Sequence, residues 1–261
     1  MRARLGLFAA FGIATTFYST RARAVDESAI FDTRKRTYES PQNFEFEIRL
    51  GPYLPNIDSD PALHGRQVWH DVFGNPYQSV FGTTQRMLVA AEFDWQVLKI
   101  PHFGNFGPGV SLGYTSMSAP ATRVDNGLPS AENTSLDVYP MYLVAVMRFD
   151  LLDRDLKIPL VPYAKAGMGL AFWRASNDVG TSSAAGTEGE GHTFGYHVAG
   201  GVSLDLNAFD RLAARGFDES MGVNHTYIYG EYMFMALNGI GQTDALRVGT
   251  ATWVVGLSFD F

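Results

Sequence analysis

The chain has no cysteine, which removes disulfides, thiolate metal sites, thiol catalysis and a lipid-modified amino-terminal cysteine together. It also has no apolar run approaching the roughly 18 residues of a membrane-spanning helix. Charged residues make up only 18% of the chain, and acids outnumber bases by 27 to 20. A surface that grips nucleic acid needs a basic patch, so that class of partner is excluded. Against these absences stand 27 glycines and an aromatic share of 13%, values that suit ring-bearing strands joined by tight bends.

The amino-terminus carries a basic start (Arg2, Arg4), an apolar run from Leu5 to Ile13 and the small-residue site Ala22-Arg23-Ala24. This reads as a signal peptide over 1–24, because the run is too brief to span a bilayer. Removing it takes away four arginines and no acid, leaving 16 bases against 27 acids and a net charge of −11. Residues 25–42 are charged and without period, and read as a flexible periplasmic tail. The domain proper is expected over 43–261.

Within that span the period is two. Phe44, Phe46, Ile48 and Leu50 alternate with Glu45, Glu47 and Arg49, and the same rhythm returns over about 86–97, 107–117, 136–149, 158–173, 193–206 and 223–237. In the last of these, Glu231 shares a parity with Tyr227, Tyr229, Met233 and Met235, so its facing is the least clear. The closing stretch, Leu246 to Phe261, sets Ala251, Trp253, Val255, Leu257, Phe259 and Phe261 against Thr250, Thr252, Val254, Gly256, Ser258 and Asp260. Eight strands follow, long enough to cross a bilayer when tilted. Long segments at 55–85, 118–133 and 174–192 read as loops of one end. Short links at 98–106 and 150–157, with a helix at 207–216 capped by Asn207 and stopped by Gly216, occupy the other.

Alternation alone fits a soluble barrel with an apolar inside as well as a membrane barrel with an apolar outside. The signal peptide, the aromatic carboxy-terminus and the small residues crowding the polar parity favour the second. The fold expected is all-β: an eight-stranded antiparallel up-and-down transmembrane β-barrel with one short periplasmic helix, both termini periplasmic, in the bacterial outer membrane, as a monomer. TYESPQNFEFEIRLGPYLPNID, DVYPMYLVAVMRFD, IPLVPYAKAGMGLAFW and VNHTYIYGEYMFM resemble a family of outer-membrane β-barrel proteins from myxobacteria and related bacteria, over 37–261. The resemblance implies the barrel and brings no activity, so it carries no catalytic residue. More distantly the pattern is similar to eight-stranded barrels of the OmpA and OmpX type. The pattern departs from OmpA in stopping at the barrel, so a carboxy-terminal peptidoglycan-binding domain, and the anchoring to the cell wall it would imply, are not expected. The closing strand resembles that of outer-membrane barrels in which a terminal Phe signals the barrel-assembly machinery, a role that falls here to Phe261.

Inward parity carries Glu45, Glu47, Arg49, Glu92, Asp94, Arg148, Lys165, Asp205 and Glu231. A lumen this narrow is filled by side chains, and an isolated buried ion costs several kcal/mol. An ion-pair plug is therefore expected among Arg49, Glu92, Lys165 and Glu231, joined by Glu47, Asp94 and Arg148; a gated pore is the alternative. Trp95, Tyr139, Trp253 and Phe259 are placed in interfacial aromatic girdles. Arg66, Arg86, Arg123, Arg174 and Arg247 are candidates for lipopolysaccharide phosphates, the outer-membrane lipids being the expected partners. His64, His70 and His192 show no spacing with a serine and an acid, and no catalytic residue or cofactor is assigned. Asn56, Asp58 and Asp60 alternate oxygens as a cation loop does but lack its Gly and distal Glu, so no metal is assigned either. His197 is expected to hydrogen-bond inside the lumen. The functional expectation is a structural or surface-interaction barrel. Alternatives are a small passive channel or transporter and a lipid-modifying enzyme.

Overall fold

The structure is a computed structural model that describes residues 42–73, 86–122, 129–184, 187–242 and 245–261. The expected signal peptide, and the expected tail up to residue 41, lie outside the described residues.

Eight long strands run Phe44–Tyr53 (β1), Arg86–Trp95 (β2), Gly104–Thr122 (β3), Pro129–Arg148 (β4), Leu160–Asn177 (β5), Glu190–Asp205 (β6), His225–Leu237 (β7) and Thr250–Asp260 (β8). Each pairs antiparallel with its sequence neighbour, and β8 pairs with β1. The sheet is thus a closed up-and-down barrel with no open edge. At the seam the N–H groups of Asn43 and Phe44 donate to the Phe261 carbonyl at 2.7 and 3.2 Å, and Phe261 N–H returns a bond to Phe44 at 2.8 Å. Starting at Glu45, the register passes through Asp94, Gly109, Val144, Gly167, His197, Met235 and Thr250. It returns to β1 ten residues further on, where Asn56 N–H donates to Gly249. Such a stagger tilts the strands by about 40°, and eight strands at that tilt leave a lumen that side chains fill.

Both chain ends of the barrel, with the links 98–103, 149–159 and 206–224, lie at one end, called here the terminal end. The loops leave from the opposite, loop end. Two segments read from sequence as loops are instead largely strand. β3 and β4 continue together to the pair Thr122–Pro129, with a register shift near Pro120. β5 runs on to Asn177 and folds back through Gly180–Thr181. The polar residues there keep pairing because backbone hydrogen bonds do not require an apolar face, which the period-two reading did.

The expected helix at 207–216 is a 3-10 turn at Leu206–Ala208 followed by a helix at Arg211–Met221 (α3, with Val68–Phe73 as α1 and Leu151–Arg154 as α2). Gly216 does not stop it. Gly222 does, with φ +71, a backbone that suits glycine. The terminal end therefore carries two helices, α2 and α3, rather than one.

The outward parity is apolar. Ile48, Leu50, Val89, Phe93, Val110, Leu112, Leu143, Met168, Val198, Val202, Ile228, Val255 and Leu257 are all exposed, along every strand. Ten residues of β1 rising about 3.3 Å each at that tilt span roughly 25 Å, the height of the apolar band of a membrane barrel.

Candidate functional site: a filled lumen and a loop-end cleft

Inward side chains divide the lumen into two halves. Near the loop end lie Tyr53, Leu88, Met117, Leu136, Val138, Tyr142, Met233, Met235, Leu237 and Val248, which form one buried apolar cluster. Tyr53 donates its hydroxyl hydrogen to the Val248 carbonyl, and Tyr142 donates to Met235 Sδ at 2.6 Å. His197 lies beside this cluster, its ring 4.7 Å from that of Tyr142, and its Nδ1 has no hydrogen-bond partner. It faces the lumen as expected, and its ring packs against that of Tyr142.

Below this cluster the charges converge. Arg49 Nη2 meets Glu92 Oε2 at 2.5 Å and Glu47 Oε2 at 3.0 Å, while Nη1 meets Glu231 Oε1 at 3.1 Å. Lys165 Nζ lies 2.6 Å from Glu47 Oε2, 2.5 Å from Glu92 Oε1 and 3.7 Å from Glu231 Oε2. Four strands, β1, β2, β5 and β7, supply this group. Solvent reaches none of it: relative accessibility is 0% at Glu231, 1% at Glu92 and 2% at Arg49 and Lys165. The Lys165 ammonium also sits 5.0 Å from the centre of the Tyr163 ring.

A second group lies nearer the terminal end. Arg148 contacts Glu45, approaches Asp260 Oδ1 at 3.9 Å and stands 5.0 Å from the Tyr227 ring centre. Gln96 Nε2 donates to Asp260 Oδ1 at 3.0 Å, and His225 Nδ1 lies 2.9 Å from Asp205 Oδ2. Arg148 thus belongs to a separate group from Arg49 and Lys165. Asp94 makes no ion pair among the described residues, and both its carboxylate oxygens lack a hydrogen-bond partner. Asp260, which shares the polar parity of the closing strand with Ser258 and Gly256, joins the inward charges expected from sequence. The apolar half escaped the sequence reading, because Leu88, Met233 and Met235 share a parity with charges.

The expected girdle residues sit on the outer surface in two groups. Trp95 stacks 6.4 Å from Phe44 near the terminal end. Tyr139 lies 5.0 Å from Tyr114, and Trp253 lies 4.9 Å from Tyr232, both towards the loop end. Phe259 is half-buried. The arginine candidates are dispersed. Arg66 donates to Leu63, Arg86 to Ser118, Arg174 to Thr181 and Arg247 to Ser59, and Arg123 lies outside the described residues. Asp58 accepts the N–H groups of Trp69 and His70 at 2.6 and 3.0 Å, so its carboxylate caps α1.

That capped turn builds a feature the sequence did not reveal. A cleft of about 650 Å³ lies where residues 54–70 meet the loop ends of β7 and β8. Trp69, His70, Asn238 and Arg247 line it together with Tyr196 and Phe234 from the outer surface. Its walls are as much polar as apolar, unlike the mostly apolar lining of a small-molecule pocket.

No family model matches the sequence, and no curated protein matches it. Solved structures do resemble the fold. Ail, the attachment invasion locus protein of Yersinia pestis, in complex with the heparin analogue sucrose octasulfate, is 10% identical with a TM-score of 0.41, covering 84% of this chain and 97% of that one. Neisserial surface protein A is 11% identical with a TM-score of 0.43, covering 85% and 98%. The N-terminal β-barrel domain of Pseudomonas aeruginosa OprF is 10% identical with a TM-score of 0.38, covering 85% and 100%. Likenesses this distant say nothing of what the present barrel binds; the eight-stranded closure rests on its own hydrogen-bond ladder.

Proposed function

We propose that this chain is a bacterial outer-membrane β-barrel whose lumen is closed by side chains and whose role is exercised at the surface, through the loop end. The closed lumen rests on one observation above the others: the mid-lumen charges are paired and inaccessible, with the apolar cluster stacked on them. The membrane reading is supported by the exposed apolar belt, since an apolar surface of that extent would not stay single in water. The apolar residues of the terminal-end linker and α3 point the same way. Phe209, Leu212, Phe217 and Met221 are all exposed, as suits a helix resting on the membrane interface. With the terminal end periplasmic, the cleft beside Trp69 and Arg247 faces outward, where outer-membrane lipids or lipopolysaccharide are the partners within reach. The kinship with the myxobacterial family rests on the sequence segments that suggested it.

Reconstituted in planar bilayers, the barrel should give no steady unit conductance steps. Such steps would favour the alternative reading, a small passive channel whose gate is the exchangeable pairing of Lys165 among three carboxylates. The location is tested separately. Heat-modifiable gel migration with outer-membrane fractionation is expected, and recovery in the soluble periplasm would overturn it.

A further inference from the structure

The lumen holds more buried acid than buried base. Among the described residues seven buried carboxylates face it, against three buried bases, Arg49, Arg148 and Lys165. The bases are committed. Arg49 and Lys165 serve Glu47, Glu92 and Glu231, and Arg148 serves Glu45 and Asp260. Asp94 is left over, at a place where Glu45, Glu47 and Asp94 bring one carboxylate oxygen each to within 4.8 Å of one another.

Asp94 singles this cluster out. It is 2% accessible, and neither of its oxygens has a partner among the described residues; Glu45 Oε1 is in the same condition. A buried charge left so is costly, and a bound ion is one of the ways such a group is satisfied. The backbone makes room for Asp94. A Cβ on Gly109 of the neighbouring strand would come within 1.9 Å of Asp94 Oδ1, so the carboxylate occupies space that only glycine leaves. A small cavity lined by Glu45, Asp94, Gln96, Asn105 and Arg148 adjoins, with room for about one water molecule or bare ion. Arg148 is the cation facing this cavity, and its contacts to Glu45 and Asp260 leave Asp94 outside its reach.

We propose that Glu45, Glu47 and Asp94 form a lumenal binding site for a hard divalent cation, calcium above magnesium. The ligand set is all oxygen, which excludes soft metals. The three oxygens lie within 4.8 Å of one another, so one cation can touch all three, and calcium tolerates the irregular set that two neighbouring strands impose. Magnesium demands a near-regular octahedron and gives up its waters reluctantly, so a buried set of three carboxylates suits it less. Gln96 and Asn105 line the same cavity, held by a bond from Asn105 Nδ2 to Gln96 Oε1 at 3.0 Å. The site rests on the geometry of the lumen and is independent of which membrane or partner the barrel meets.

The test is calorimetric titration of calcium chloride into the whole chain, refolded in detergent micelles and stripped with a chelator. One calcium per barrel is expected, with magnesium chloride binding more weakly. Asp94→Asn removes the unpaired charge and should weaken binding at least tenfold. Gly109→Ala keeps every carboxylate but displaces Asp94, and should do the same; an unchanged heat-modifiable gel shift checks that each variant is folded. Asp71→Asn, a surface control, should bind as the parent does. The proposal is overturned if the parent takes up no calcium, or if a folded Asp94→Asn or Gly109→Ala variant binds as tightly as the parent.

Discussion

The two halves of the lumen solve one packing problem by different means. The loop-end half is filled with Leu88, Met117, Val138, Met233, Met235 and Leu237, which stabilise by leaving water and by close contact. The terminal-end half is filled with Glu47, Arg49, Glu92, Lys165 and Glu231, which gain little over an apolar filling of the same volume but are costly to disturb singly. Apolar packing therefore supplies stability, while the ionic half supplies a unique arrangement that one wrong side chain breaks. A closed barrel has no exposed edge strand from which to unfold, so both contributions act on the whole molecule.

The largest expected effect comes from breaking the ionic half. Lys165→Met leaves Glu47 and Glu92 without the ammonium that approaches them at 2.6 and 2.5 Å. Stability should fall by about 3–5 kcal/mol, read as the urea midpoint of unfolding in lipid vesicles. Adding Glu92→Leu should return at least about 1 kcal/mol of this, because the pair is then removed and not merely broken. If the double variant is as unstable as the two losses added, the ionic half is a set of independent contacts and not a network.

Leu237→Ala tests the apolar half. The side chain is fully buried, and the truncation should cost about 2–3 kcal/mol by lost transfer energy and a residual cavity. No second substitution nearby should restore it. A cost below that of a surface change would mean that the loop-end cluster is loosely packed and the comparison fails.

The smallest effect lies outside the barrel wall. Burial, and then the neighbouring Asp205 carboxylate, raise the titration of Asp153 in α2 above its ordinary range. A raised acid is penalised when ionised in the fold, so its penalty is present at neutral pH and disappears as pH falls through the raised range and below the ordinary one. Asp153→Asn should therefore raise the unfolding temperature slightly at pH 7, with the difference vanishing in acid. A variant less stable than the parent at pH 7 would reverse the sign of this contribution.

Alternation made the barrel legible, and with it the inward set Glu47, Arg49, Glu92, Lys165 and Glu231. Parity depends only on the backbone, so it is local information. The extension of β3 and β4 to Thr122 and Pro129 was not legible, since polar strand ends have no period to read. The stop of α3 at Gly222 instead of Gly216 has a similar cause. A glycine ends a helix when its backbone turns left-handed, and nothing in the local composition says which of the two will do so.

What the sequence determined by itself is which side chains share a face, because a strand's period of two decides that residue by residue; that the apolar face is the outer one is seen only in the closed barrel. Nor could the sequence decide which inward charge meets which. That depends on the ten-residue stagger with which β8 closes on β1, a global property that sets the height of every residue around the barrel. The stagger gathers Arg49 and Lys165 among three carboxylates, sends Arg148 to Glu45 and Asp260, and leaves Asp94 with neither.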